Sequence, residues 1–130
     1  MVVSVDADEH VALLGRAYRL FNDRQIEALL AMMTDDVEWP DVANAEVLLG
    51  KEAVRRYWKR QFAVVDPQVM PVEFIRTKDG LVCVVEQRVL DLRGKPVATP
   101  NIVFHRYTFA RNLVRRMVVF SDRDAAISGT

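Results

Sequence analysis

The chain has 130 residues, enough for one domain that buries roughly two-thirds of the surface its unfolded form exposes. Apolar residues make up 51% and charged residues 28%, and Lys+Arg 18 balance Asp+Glu 18, so there is no basic field to hold nucleic acid or an anionic membrane. A single cysteine excludes an internal disulfide, Cys and His show no metal-ligand spacing, and no apolar run approaches a membrane span, so the default expectation is a cytoplasmic protein without metal or cofactor.

Taken in order, Ser4 or Asp6 can cap a first helix in which Val11, Leu14, Ala17, Tyr18 and Phe21 keep the helical period to about Asn22. Asn22 with Gln25 three residues on resembles a capping box, and Ile26, Leu29, Leu30 and Met33 mark a second, short helix. Thr34-Asp35-Asp36 breaks that pattern. Val37 to Trp39 then reads as a short strand and Pro40 to Leu49 as a loop. Gly50 opens a third helix to about Ala63, with Val54, Tyr57, Trp58 and Gln61 opposite a stripe of Arg55, Arg56, Lys59 and Arg60 that reads as a solvated face.

From Asp66-Pro67 onward the pattern becomes that of strands: Val69 to Arg76, Leu81 to Leu92, Val97 to Phe109 and Leu113 to Ser121. Turns at Lys78-Asp79-Gly80, Arg93-Gly94 and Arg111-Asn112 separate them. Tight turns pair successive strands antiparallel. Three N-terminal helices followed by a strand meander predict a single α+β domain over residues 1–130, its helices packed on a curved antiparallel or mixed sheet. Cys83, within Leu-Val-Cys-Val-Val, is expected to be a small buried hydrophobe.

The stretch Asn101 to Phe109 alternates strictly and carries one of two histidines. Val103, His105, Tyr107 and Phe109 share one face, and Ile102, Phe104, Arg106 and Thr108 the other. A histidine among apolar neighbours is either a hydrogen-bonded structural group or a working group in a cavity.

Phe21-Asn-Asp-Arg-Gln-Ile-Glu-Ala-Leu-Leu30, Asp35-Asp-Val-Glu-Trp39, Gly50-Lys-Glu-Ala-Val-Arg-Arg-Tyr-Trp58 and Phe109-Ala-Arg-Asn-Leu-Val114, in this order of elements, resemble the nuclear transport factor 2-like superfamily. More narrowly the chain resembles its SnoaL-like branch, with polyketide cyclases, ketosteroid isomerases and limonene epoxide hydrolases. The resemblance implies a cone-shaped α+β barrel with one deep apolar pocket, and it leaves enzyme and binding module both open. Laid ungapped on the ketosteroid isomerase pattern from Asp35-Asp36 to Gly50, Asp41 takes the place of the proton-shuttling aspartate. Four residues before Phe109, His105 takes the place of the protonated aspartate of the oxyanion hole. Ala17 stands where the oxyanion tyrosine would be, with Tyr18 about 100° further round the helix.

Val85-Glu-Gln-Arg-Val-Leu90 is similar to the epoxide hydrolase motif and aligns Arg88 with that family's bridging arginine, but Leu90 and Val119 replace its two aspartates and exclude that mechanism. A two-residue Arg93-Gly94 turn would face Val82, Val84, Glu86, Arg88 and Leu90 towards His105. A three-residue loop would present Cys83, Val85, Gln87 and Val89 instead. The first agrees with both family alignments and is the expectation, making Glu86 and Arg88 an internal ion pair that orders the pocket or binds a polar ligand group.

Two functions from different classes follow. In one, Asp41 removes a proton beside a carbonyl of a small cyclic hydrophobic substrate while His105, helped by Arg88, stabilises the enolate oxygen, giving isomerase, cyclase or dehydratase chemistry. Tyr18, Trp39, Trp58, Tyr107 and Met117, with Glu86 and Arg88, would line the substrate site. In the other, the pocket binds a small hydrophobic molecule without catalysis, or the domain serves only as a dimer scaffold. Ile102, Phe104, Val118 and Phe120, on the face turned from the pocket, lead us to expect a homodimer through the sheet.

Overall fold

The computed structural model describes the backbone of residues 5–130 and the side chains of residues 9–130. A first helix, α1 (Val5–Asn22), turns into the short α2 (Ile26–Leu30), and a β-hairpin of β1 (Met33–Asp41) and β2 (Glu46–Leu49) precedes α3 (Lys51–Phe62). Then come β3 (Asp66–Arg76), β4 (Gly80–Leu90), β5 (Asn101–Ala110), β6 (Leu113–Phe120) and a last helix, α4 (Arg123–Ser128). The fold is thus α+β with a six-stranded mixed sheet ordered β2-β1-β6-β5-β4-β3, in which β1 runs parallel to β6 and every other pair is antiparallel. No helix among the described residues is long and apolar enough to cross a membrane.

The helices pack through the residues that their spacing marks. Leu14 and Tyr18 of α1, Leu29 and Leu30 of α2 and Val54 and Trp58 of α3 are buried against the inner face of the sheet. Trp58, fully buried, meets Trp39 and Phe21 edge-on at centroid distances of 5.4 and 6.0 Å. The caps are arranged differently from expectation. Ser4 and the side chain of Asp6 lie outside the described residues. Asn22 does not cap α2; its side-chain amide donates to Val69 O (2.8 Å) and its oxygen accepts from Val69 N (2.9 Å), tying α1 to β3.

Three elements depart from the sequence reading. Pro40 to Leu49 contains β2, an edge strand whose residues are mostly exposed and therefore leave no apolar alternation. The short strand expected between the second and third helices is the nine-residue β1, paired with β2, and a fourth helix closes the chain. That α4 is only six residues long but fully capped: Asp122 accepts from Ala125 N, and Gly129 takes the left-handed conformation with φ 83°. Arg106 donates to the carbonyls of Ala126 and Ile127, which lays α4 across the outer face of β5 and β6.

The β4–β5 connection decides which side chains look inward. Leu92, Arg93 and Gly94 form a three-residue loop: Asp91 N donates to Lys95 O (2.7 Å), Gly94 sits at φ 87°, and the Asp91 carboxylate accepts from the backbone of Arg93 and Lys95. The regular ladder resumes at Asn101, with Cys83 opposite His105, Val85 opposite Val103 and Gln87 opposite Asn101. The expected two-residue turn is one residue shorter, and one residue exchanges the two faces of a strand. Glu86 and Arg88 consequently point away from His105.

Candidate functional site

Between the sheet and the helices lies a cavity of about 160 Å³. Ala17, Tyr18 and Phe21 reach it from α1 at the spacing of one helical face, and Tyr57, Trp58 and Gln61 reach it from α3. Gln87 and Val89, His105 and Tyr107, and Met117 and Val119 come from β4, β5 and β6, while Trp39 and Pro40 close it from β1. The structure therefore brings Tyr18, Trp39, Trp58, Tyr107, Met117 and His105 of the expected site residues around one space.

At the deep end three polar side chains form a row within this apolar wall. The Tyr18 hydroxyl lies 2.8 Å from the Tyr107 hydroxyl and 2.9 Å from His105 Nδ1. All three residues are buried. Burial lowers the His105 pKa to about 4 from its ordinary 6.5, so the imidazole is neutral at pH 7. Burial also raises the Tyr18 pKa, with Tyr107 and Cys83 adding to the shift, and pushes that of Tyr107 up in the same way. Neither hydroxyl ionises near neutrality.

Neutrality restricts the protons. When Tyr107 donates to Tyr18 and Tyr18 donates to Nδ1, both hydroxyl protons have an acceptor and the imidazole proton sits on Nε2. The reverse order leaves the Tyr107 proton without a protein acceptor among the described residues. Nε2 itself has no protein partner there and is not sealed from the cavity, because among the described residues the one buried side-chain nitrogen or oxygen left without a partner is Thr34 Oγ1. The row thus ends in an N–H donor facing the cavity. Tyr18 supplies the hydroxyl although the family alignment selects Ala17; both residues reach the cavity.

Asp41, the last residue of β1, is buried and shares its strand face with Val37 and Trp39. It is not itself a lining residue, but its chain neighbours Pro40 and Val42 are. Both carboxylate oxygens are engaged: Oδ2 accepts from Asn44 Nδ2 at 2.8 Å and Oδ1 from Asn44 N at 3.3 Å. Its charge is felt by the Tyr57 hydroxyl on the cavity wall, whose pKa is raised by burial and then by Asp41. The carboxylate is buried beneath the β1–β2 turn, outside the cavity lining.

Glu86 and Arg88 are absent from this cavity. They line a separate outer cleft between α1 and the β3–β4 ladder, 3.5 Å apart, with Arg88 58% exposed. The pocket ion pair expected from the two-residue turn is therefore a solvated surface pair. In its place the ladder puts Gln87 on the cavity wall, a residue the family alignments passed over. The Asp91 side chain, poised to bond the backbone that follows it, is the signal that would have selected the longer loop. Among the described residues no three His, Cys, Asp or Glu side chains stand together as a metal site. Cys83 is fully buried beside the row, its thiol pushed up to about 12 by burial.

Comparison with known proteins places this geometry. No protein of curated function matches the chain. Among solved structures it is similar to TerC co-crystallised with polyporic acid, at 26% identity and a TM-score of 0.75, covering 90% of this chain and 94% of that one. It shares the fold of SalBIII, an epoxide hydrolase/cyclase-like enzyme of pyran ring formation in polyether salinomycin, at 18% identity, a TM-score of 0.75 and coverage of 92% and 95%. A Mycobacterium tuberculosis protein in complex with estradiol-17beta-hemisuccinate shares it too, at 19% identity, a TM-score of 0.70 and coverage of 89% and 95%. The model of the SnoaL-like domain matches residues 14–117, most of the length, and the chain belongs to that family.

Proposed function

We propose that the cavity binds a small, largely apolar cyclic molecule through a carbonyl and that the protein moves a proton beside that carbonyl. The observation that carries this reading is the hydrogen-bonded row Tyr107–Tyr18–His105, which ends in an Nε2 that has no partner among the described residues and faces an aromatic-walled space. A neutral donor held in a low-dielectric site stabilises charge that develops on an oxygen and needs no reorganisation to do so. Similar structures that hold polyporic acid or an estradiol ester support a ring system as ligand.

In the proposed step the Asp41 carboxylate takes a proton from the carbon next to the carbonyl. The C–H electron pair forms the enolate double bond, and the enolate oxygen accepts from His105 Nε2. Returning the proton at another carbon gives isomerisation; attack of the enolate carbon on a second carbonyl gives ring closure. Full transfer from the row is disfavoured, since it would leave a buried phenolate where burial already raises both tyrosine pKa values. The oxygen is stabilised by hydrogen bonding alone.

A second reading, binding without catalysis, is favoured by the two Asn44 donors on Asp41 and by its absence from the cavity lining. Deuterium exchange at the α-carbons of cyclic ketones such as cyclohexenone and 2-tetralone, followed by NMR, separates the two. Exchange dependent on Asp41 supports the enzyme, and saturable binding without exchange supports the binder. The exposed Ile102 with the partly exposed Phe104, Val118 and Phe120 also supports a homodimer through the part of the sheet that α4 leaves open. Sedimentation as a monomer at micromolar concentration would overturn it.

A further inference from the structure

We propose that Gln87 is a second polar anchor of the cavity, so that the site selects elongated ring systems carrying hydrogen-bonding groups at both ends. This rests on the reading of the cavity as a ligand site and adds which ligands it prefers. His105 lies opposite Cys83 in the β4–β5 ladder, and Gln87 is four residues further along the same inner face of β4. At about 3.3 Å per residue, the two levels are roughly 13 Å apart along the sheet. The intervening inner-face residues of these two strands are Val85 and Val103, both apolar and buried.

The Gln87 amide makes no hydrogen bond to any described residue, yet it is not sealed in the protein. Its donors and its acceptor are thus available to whatever fills the cavity. Gln61, the other amide there, already leans on the Tyr57 hydroxyl at 3.4 Å. A ligand that covers Gln87 with hydrocarbon strips water from an amide and gives nothing back, whereas one that presents a hydroxyl or carbonyl replaces that water. The two ends act together only on a rigid molecule long enough to reach from one level to the other.

The test uses two rigid probes, biphenyl with one para hydroxyl and biphenyl with a para hydroxyl on each ring, titrated calorimetrically into the wild type and Gln87→Leu. One neutral hydrogen bond predicts that the dihydroxy probe binds the wild type roughly fivefold more tightly. In Gln87→Leu that gain disappears while affinity for the monohydroxy probe stays the same or rises. Gln87→Glu, nearly isosteric and able to accept from the hydroxyl, retains the gain and serves if the leucine variant fails to fold. Equal wild-type affinities, or a gain that survives in Gln87→Leu, overturn the anchor and leave the ligand site standing. Failure of both probes to bind the wild type overturns the anchor and the ligand site together.

Discussion

The hydroxyl of Tyr18 lies 2.9 Å from Nδ1 of His105, a contact across 87 residues of chain that ties the first helix to the middle strand of the site. Tyr18 is the centre of the row, so removing its hydroxyl deprives two buried groups of partners at once. Tyr18→Phe is expected to lower stability by about 1–3 kcal/mol, the usual cost of an unsatisfied buried polar group. It also releases the constraint that keeps the imidazole proton on Nε2. Urea denaturation reads the first effect and nitrogen NMR of the imidazole tautomer the second. An unchanged midpoint with an unchanged tautomer would mean that the row does not exist in solution.

The same burial makes stability depend on pH in a defined window. His105 is held down to about 4 in the folded protein, against 6.5 for an exposed histidine. Below 6.5 the unfolded chain takes up a proton that the folded imidazole refuses, so the native state loses stability as pH falls from about 6.5 towards 4, and the loss is complete below the folded value. His105→Gln removes this slope, whereas His10→Gln, which alters a partly exposed ring stacked on Phe109, leaves it in place. Denaturation midpoints at a series of pH values for both variants check the assignment. A slope that persists in His105→Gln between about pH 6.5 and 5.5 contradicts it, because Glu27 and Glu73, held down by Arg55 and Arg123, add their own loss only at lower pH.

What could be read from the chain was whatever burial imposes on residue spacing. The α1 positions Leu14, Ala17, Tyr18 and Phe21 and the β5 positions Val103, His105 and Tyr107 pack inward as their periods require. Elements held by backbone pairing or by caps lack such a period. β2 is an exposed edge strand, and α4 is too short for a stripe, although Asp122 and Gly129 mark both its ends. The left-handed turn residue before β6 is Arg111, φ 57°, although Asn112 beside it is the residue type that tolerates that conformation better. The Gln87 face turns on a single residue of loop length, which in the sequence only Asp91, bonded to the backbone of Arg93 and Lys95, marks.

Arg88→Met tests that loop directly. With Arg88 on the outer face and 58% exposed, the substitution is expected to change stability by less than about 0.5 kcal/mol, as neutral surface changes do. In the opposite register the same change would strand Glu86 inside and cost about 3–5 kcal/mol. Chemical denaturation of this one variant distinguishes the two.

Gly80 shows how closely the ladder approaches Tyr107. A Cβ built on Gly80 would overlap the Tyr107 carbonyl oxygen and crowd Thr108 Cα at 3.3 Å, both backbone atoms that cannot swing aside. Gly80→Ala is therefore expected to destabilise the fold by about 1–3 kcal/mol, the range for forced overpacking. Because the push falls on the strand segment that holds Tyr107, the Tyr107–Tyr18 contact should loosen as well. Thermal denaturation together with the hydroxyl proton signals in NMR would read both effects, and a fully native Gly80→Ala would show that β4 and β5 are less closely apposed.

Function turns on Asp41 and on the Asn44 that holds it. If Asp41 is the base, Asp41→Asn is expected to slow α-proton exchange of a bound ketone by at least about a hundredfold, the lower end of what general-base catalysis contributes, with little change in the ketone's dissociation constant. Asn44 makes the prediction sharper. It donates to Oδ2 from its side chain and to Oδ1 from its backbone, and only the first bond is lost in Asn44→Ala. A carboxylate relieved of a 2.8 Å hydrogen bond is freer to swing from beneath the turn towards the substrate, but it is also less well placed. Asn44→Ala should therefore change the exchange rate while leaving ketone affinity within about twofold, the scale of a few tenths of a kcal/mol. If Asp41 merely pins the β1–β2 turn, both variants should lose stability in denaturation and leave exchange, where any is seen, as it is in the wild type. Measuring exchange and stability on the same samples decides between a base beside the cavity and a staple under the turn.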